Sequence, residues 1–225
     1  MNLYVLVEGK TERKVYPKWF SYLLPKLIRV TTPDKAVENN YYLISGGGFP
    51  SLLDNHLKAS VEDVNTFGNY DFLILCIDSD GLSPEKKLIM INEFIAKNNI
   101  ATMCDMKVIV QHKCMETWFM GNRKVYSRSP SQGFVFFSQS YDVSQDDPEL
   151  MGKPDDFSES YAIYHYQYLK SMLSEKNIRY SKSNPGDVMK EYYLNELRKR
   201  TLDTPGHLNT LQTFFGFCLG LSAKL

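Results

Sequence analysis

Six consecutive apolar residues, Phe72–Ile77, run directly into the polar turn Asp78-Ser79-Asp80-Gly81. An uninterrupted apolar run of this length is typical of a parallel strand that is buried on both faces. Because side chains alternate along a strand, Asp78 and Asp80 would point to the same side of the extended chain. Two carboxylates at that spacing repel each other unless a cation neutralises them, and divalent cations such as Mg²⁺ prefer oxygen ligands. The segment therefore predicts a buried strand that ends in a metal-binding pair of acids.

The first predicted strand ends in the same way, because apolar residues 3–7 lead into Glu8-Gly9. Strand patterns at residues 3–7, 41–44, 72–77 and 106–110 alternate with helical patterns at about 11–28, 50–64, 84–98 and 114–119. This order predicts an α/β fold with a mainly parallel sheet flanked by helices. In such sheets ligands bind beyond the carboxyl ends of the strands. Glu8, Asp78 and Asp80 all fall at that edge.

The second half of the chain departs from this alternation. Residues 125–160 are rich in Ser, Gly, Gln, Pro and Asp, interrupted by the apolar run Phe134–Phe137, which predicts an irregular insertion with at most one short strand. Helical patterns return at about residues 161–175, 186–200 and 207–219. The expected organisation is an α/β core over 1–124, an insertion over 125–160, and a helical C-terminal elaboration over 161–225 that packs on the core.

Composition limits the classes of function. The chain has 225 residues, of which 43% are hydrophobic, and this suits a globular protein with a sizeable core. Its formal net charge is zero, which argues against a uniformly basic nucleic-acid-binding surface but leaves room for a local basic patch. No apolar run approaches the ~20 residues of a membrane helix, and the N-terminus lacks a signal-peptide pattern. We therefore expect a cytoplasmic protein with no membrane partner.

The acids and their neighbours resemble the Toprim family, the metal-binding fold of topoisomerases, primases and the OLD-family and related small nucleases. Residues 7–12, Val-Glu-Gly-Lys-Thr-Glu, followed by residues 77–81, Ile-Asp-Ser-Asp-Gly, are similar to that family's glutamate after the first strand and Asp-x-Asp after a later one. The resemblance covers about residues 1–120. It implies a Toprim-like Rossmannoid fold in which Asp78 and Asp80 bind Mg²⁺ or Mn²⁺. It also implies that Glu8 is a metal ligand or a general acid/base.

The resemblance to the OLD-like branch implies further roles. That branch carries a second glutamate one helical turn after the first, and Glu12 matches it. It also carries an acid after the following strand, which Glu116 matches, although Cys114 stands where the branch often has a serine. On this basis the implied metal ligands are Glu8, Glu12, Asp78, Asp80 and Glu116.

A lysine far downstream stabilises charge in the transition state of the OLD-like branch. Lys182 is our candidate here, with Lys153 and Lys190 as rivals, because no spacing rule selects among them. The implied catalytic residues are Glu8, Asp78, Asp80, Glu116 and Lys182.

The resemblance implies a metal-dependent nuclease that cleaves phosphodiester bonds in RNA or DNA. The segment Glu116-Thr117-Trp118 is similar to the Glu-x-Trp of small stand-alone Toprim proteins from bacterial defence loci, which implies an antiviral defence role and an ATPase partner subunit. Two alternatives stay open: a primase-like nucleotidyl transferase, and a non-catalytic regulatory subunit of an ATPase complex. The sequence leaves open both the type of nucleic acid and whether the chain forms a homo-oligomer.

Overall fold

The computed structural model describes residues 1–225 and confirms the α/β prediction. The strands are β1 (Asn2–Val7), β2 (Ile28–Val30), β3 (Asn40–Ser45), β4 (Phe72–Asp78) and β5 (Asp105–Gln111). They form one five-stranded parallel sheet in the order β2-β3-β1-β4-β5. Parallel neighbours need long crossover connections, and helices supply most of these here.

Eight α-helices accompany the sheet. They are α1 (Lys10–Leu23), α2 (Lys58–Phe67), α3 (Pro84–Lys97), α4 (Met115–Phe119), α5 (Gln132–Ser140), α6 (Tyr161–Ser174), α7 (Glu191–Asp203) and α8 (Asn209–Ser222). A π-helical turn at Leu52–Leu57 leads into α2. The three predicted C-terminal helices correspond to α6, α7 and α8, although α7 starts only after a 3-10 turn at Gly186–Met189. None of the helices has both the length and the hydropathy needed to cross a bilayer.

The chain divides into two compact units. The first consists of Met1–Ile77, Pro84–Val110 and Gly216–Leu225. The second consists of Asp78–Ser83 and Gln111–Phe215. The first unit thus holds the body of the sheet with α1, α2 and α3, and the second holds α4 to α7. Helix α8 contributes its first half to the second unit and its last half to the first.

Apolar side chains cover both faces of the sheet in the first unit. On one face Tyr4 of β1 belongs to a buried cluster that includes Val61 of α2 and Ile91 of α3. On the other face Phe20 of α1 packs edge-on against Tyr41 of β3, with 5.3 Å between ring centroids. A strand that is covered on both faces needs apolar residues at every position. This is why residues 3–7 and 72–77 appear in the sequence as unbroken apolar runs.

The first predicted helix is shorter than its pattern indicated, and an unpredicted strand follows it. Helix α1 ends at Leu23, whereas the prediction ran to residue 28. Pro25 lies just beyond, and its ring and missing N–H disfavour further helix. Ile28–Val30 then forms β2, an edge strand that pairs with β3 over three residues. Three residues are too few to show a strand period in a sequence.

The insertion contains no strand, and the apolar residues Phe134–Phe137 lie in α5, a helix that the prediction of an irregular segment did not include. Phe134 and Phe137, three positions apart, both pack against the ring of Tyr168, with centroid distances of 5.4 and 5.6 Å. Phe136, which a strand would place on the same face as Phe134, is 57% exposed. Phe134 and Phe137 share one helical face, and their packing on α6 decides in favour of the helix.

Candidate active site

Strands β1 and β4 flank the position where the order of the strands reverses. β1 pairs with β3 on one side and with β4 on the other, and Val7 lies opposite Cys76 in the register with β4. In open α/β sheets, ligands bind beyond the carboxyl ends of the strands at this switch point. Glu8 follows β1 directly, and Asp78 is the last residue of β4. Glu8 and Asp78 each lie at the carboxyl end of their own strand.

Glu8 belongs to the first unit and is anchored through its backbone. Its carbonyl accepts hydrogen bonds from the N–H of Gly48 at 3.0 Å and from the hydroxyl of Ser45 at 3.2 Å. The glycine-rich loop after β3 therefore covers the end of β1. At Gly46 a Cβ atom would lie 2.9 Å from the Cα of Leu52, so only glycine allows this close approach.

Glu12 also belongs to the first unit and lies buried in the first turn of α1, with 5% exposure. A Cβ on Gly9 would come within 2.8 Å of its Oε2 atom, so glycine at that position leaves room for the carboxylate. Burial raises the pKa of the Cys76 thiol to about 12, and the negative charge of Glu12 adds to this rise. Glu12 therefore acts electrostatically on Cys76 within β4.

Asp78 and Asp80 belong to a turn of the second unit that is bound to the loop after β5. The N–H of Ser79 donates to the carbonyl of Gln111 at 2.9 Å, and that of Asp80 to the carbonyl of Lys113 at 3.0 Å. In return the N–H of Lys113 donates to the hydroxyl of Ser79 at 2.7 Å. Asp80 and Lys113 both adopt left-handed backbone conformations, with φ of 54° and 61°. These reciprocal bonds fix the backbone that carries both acids.

Glu116 lies in α4 with only 2% exposure, and its carboxylate has two neighbours of the second unit. Oε1 accepts a hydrogen bond from the hydroxyl of Tyr180 at 2.9 Å and lies 3.8 Å from Nζ of Lys182. Two backbone hydrogen bonds between Ser181 and Asn184 close a tight turn that holds Lys182. The structure thus places the candidate lysine beside one of the predicted acids.

The two rival lysines have other partners. Nζ of Lys153 donates to the carbonyl of Phe157, four residues along the chain. Nζ of Lys190 pairs with Asp187 at 2.6 Å, within the same turn. Of the three lysines, Lys182 is the one whose ion pair is with a predicted acid.

Cys114 is buried directly before α4. Burial raises the pKa of its thiol well above the ordinary value, and the charges of Glu116 and Asp78 raise it further. Both carboxylates therefore act on one sulfur atom. The thiol stays protonated at neutral pH and supplies no thiolate.

Sequence reasoning missed Lys113 and Tyr180. Nζ of Lys113 donates to the carbonyl of Glu149 at 2.8 Å and lies 5.7 Å from the ring centroid of Tyr161. Burial is the main cause that lowers the pKa of this ammonium group. The sequence offered one weak signal, since Lys113 lies three positions before Glu116 and Tyr180 two positions before Lys182.

Glu149, whose backbone carbonyl accepts the hydrogen bond from Lys113, also has a buried carboxylate. It accepts hydrogen bonds from the N–H of Thr210 at 3.1 and 3.2 Å and from the hydroxyl of the same residue. Burial is the largest effect on this group and raises its pKa from 4.5 to about 6. A carboxyl group whose pKa is raised on folding stabilises the folded state while it is protonated, and this contribution is lost as the pH rises.

Glu149→Gln should therefore reduce the loss of stability between about pH 4 and about pH 7. The shift from 4.5 to about 6 corresponds to about 2 kcal/mol, so wild type should lose about that much free energy of unfolding relative to the variant. Urea denaturation at several pH values measures the difference. Exposed Glu159, substituted in the same way, serves as the control. Parallel pH profiles for Glu149→Gln and wild type would contradict the assignment.

No three His, Cys, Asp or Glu side chains of the chain converge closely enough to form a metal cage by themselves. No family model, curated protein or solved structure matches the chain.

Proposed function

We propose that the chain is a metal-dependent nuclease that hydrolyses phosphodiester bonds in RNA or DNA. The observation that carries the proposal is the reciprocal hydrogen bonding of Ser79 and Asp80 with Lys113, because it ties the two acids to the loop that leads into Glu116. Metal-dependent phosphodiester hydrolysis needs anions that hold a cation, and it is helped by a positive charge that stabilises the developing negative charge. Asp78, Asp80, Glu116 and Lys182 supply both kinds of group within one unit. The Toprim-like residue pattern supports the same function.

The donor atoms suit Mg²⁺ or Mn²⁺. Carboxylate oxygens are the hard ligands that these ions prefer. Mg²⁺ commonly keeps several waters and binds through one or two protein carboxylates together with substrate phosphate, so Asp78 and Asp80 are sufficient protein ligands without a closed cage. When bound, such an ion supplies Lewis acidity at the phosphate and activates water for attack.

The surrounding residues have distinct roles in this proposal. Tyr180 holds the Glu116 carboxylate in one orientation, so that Glu116 can orient the attacking water or accept its proton. Lys182 stabilises the additional negative charge of the transition state, and its half-exposed ammonium group is accessible to a substrate phosphate. Tyr180 thus positions Glu116, and Ser181, whose backbone bonds close the turn around Lys182, positions that lysine. The participation of Glu8 and Glu12 as further ligands stays a prediction.

Calorimetric titration with Mn²⁺ tests the metal site directly. Wild type is expected to bind Mn²⁺, and Asp80→Asn to weaken binding at least about a hundredfold, because even indirect supporting residues contribute 10–100-fold. Asp105→Asn is the matched control, since Asp105 is an exposed acid at the amino end of β5. Glu8→Gln, titrated in parallel, tests whether Glu8 is a ligand. A wild-type protein that binds neither Mn²⁺ nor Mg²⁺ would overturn the proposal.

A further inference from the structure

A cavity of about 620 Å³ in the second unit is lined by four cations, Arg123, Lys124, Arg128 and Lys176, with Tyr126 and two serines. No carboxylate lines it, although the chain as a whole has 26 basic and 26 acidic residues. Positive charge is therefore concentrated locally in a neutral protein. We infer that this basic cavity binds the phosphate backbone of a nucleic-acid strand. The identity of the ligand rests on the proposed nuclease function.

Two of the four cations, Arg123 and Lys124, already have hydrogen-bond or ion-pair partners within the protein. Nε of Arg123 donates to the carbonyl of Ser144 at 2.8 Å, and Nη1 to the hydroxyl of Thr204 at 2.9 Å. Nζ of Lys124 pairs with Glu196 at 2.6 Å. These contacts fix the wall of the basic cavity. It stays positively charged, because two carboxylates act on its four cations: Glu196 pairs with Lys124, and Glu175 acts electrostatically on Lys176.

The other two cations, Arg128 and Lys176, are exposed and form no ion pair. An arginine guanidinium can bind a phosphate with two parallel hydrogen bonds, while a lysine contributes a point charge. Arg128 and Lys176 are therefore the groups most available to an incoming phosphate.

A tightly packed segment connects the basic cavity to Glu116. The side chain of buried Asn122 accepts a hydrogen bond from the N–H of Lys124 at 3.0 Å. At Gly121 a Cβ atom would lie 2.3 Å from Cδ1 of Leu208, so the backbone is closely confined. Arg123 follows Glu116 by seven positions, which limits the separation of their Cα atoms to about 25 Å. At the duplex spacing of about 3.4 Å per nucleotide along one strand, at most roughly seven nucleotides would separate the two.

The composition of the basic cavity favours a polyanion over a single small anion. Four cations exceed what one phosphate needs, whereas successive phosphates of a strand would occupy several of them. The ring of Tyr126 is half-buried at the cavity, and aromatic rings of this kind stack on unpaired bases. Burial raises the pKa of the Tyr126 hydroxyl to about 12, so this side chain adds no negative charge.

Binding of a labelled single-stranded oligonucleotide, measured by fluorescence anisotropy in EDTA, tests the inference without a metal. Removing two phosphate contacts with the double variant Arg128→Ala/Lys176→Ala should weaken binding at least about tenfold. It should also reduce the slope of log affinity against log salt by about 1.4, since each contact on a single strand contributes about 0.7. The control is Lys26→Ala/Lys97→Ala, which removes two exposed charges from the first unit.

The outcomes separate this inference from the nuclease proposal. Selective loss of oligonucleotide binding in the cavity variant supports the inference, whether or not wild type hydrolyses the strand. Equal affinities of the cavity variant and the control variant would overturn it, as would a wild type that binds ATP or pyrophosphate but no oligonucleotide. Hydrolysis of the small diester bis(p-nitrophenyl) phosphate reports on the metal site alone, so the cavity variant should retain it.

Discussion

Replacing Asp78 by asparagine is expected to lower Mg²⁺-dependent hydrolysis of a single-stranded oligonucleotide by about 10²–10³-fold. Asparagine has nearly the same shape as aspartate, so the turn at the end of β4 should keep its backbone hydrogen bonds. The variant loses the negative charge that attracts a divalent ion, and with it the stabilisation of charge at the phosphate. The measurement is kcat at saturating Mg²⁺, with thermal unfolding recorded on the same samples.

Asp105→Asn provides the comparison for this experiment. Asp105 begins β5, so it lies at the amino edge of the same parallel sheet, and its side chain is exposed. The substitution removes the same charge from the amino edge of the sheet, and it should leave kcat within about twofold of wild type. A folded Asp78→Asn protein with more than about a tenth of wild-type activity would show that this carboxylate is not a ligand of the catalytic ion.

Trp118→Ala is expected to destabilise the second unit by about 3–5 kcal/mol. The indole is fully buried and stacks on Phe214, with 5.8 Å between ring centroids and 27° between ring planes. Its Nε1–H donates to the hydroxyl oxygen of Thr210 at 2.8 Å. The substitution leaves a large cavity and removes this donor. Equilibrium unfolding in urea, followed by circular dichroism, measures the loss.

The two tryptophans allow the units to be followed separately. Trp19 is buried in the first unit and Trp118 in the second. Fluorescence of Trp118→Ala therefore reports on the first unit, while Trp19→Phe leaves Trp118 as the reporter of the second. Trp118→Phe keeps an aromatic ring and should destabilise less than alanine. An unchanged urea midpoint for Trp118→Ala would contradict the packing described for α4 and α8.

The parts of the fold that the sequence predicted are those with long, uniform patterns. β1 and β4 are covered on both faces, so their apolar runs indicate both the strands and their burial. β2 has three residues and takes its place only by pairing with β3. Helix α5 contains a run that suits a strand equally well, and contacts with Tyr168 of α6 determine its conformation. The secondary structure of such segments depends on tertiary contacts, which no local sequence pattern shows.

The residues of the candidate site also differ in whether the sequence predicts them. Glu8, Asp78 and Asp80 follow directly from strands, so the rule for parallel sheets locates them. Tyr180 donates to Glu116 from 64 positions away along the chain, and no period or spacing links the two. Lys113 becomes notable only because its backbone bonds to the turn that carries Asp80. Residues that support a site from distant segments are thus the ones that a single sequence conceals.

The path of the chain through the two units affects the order of its synthesis and folding. The segment Gly216–Leu225 belongs to the first unit, where Phe217 packs edge-on against Phe72 of β4 at 5.8 Å between centroids. A translating ribosome releases this segment after all five strands of the sheet and after the residues of the second unit. The first unit therefore acquires this packing layer only after the second unit has been synthesised, and a stop codon before Phe217 would leave Phe72 without this aromatic neighbour.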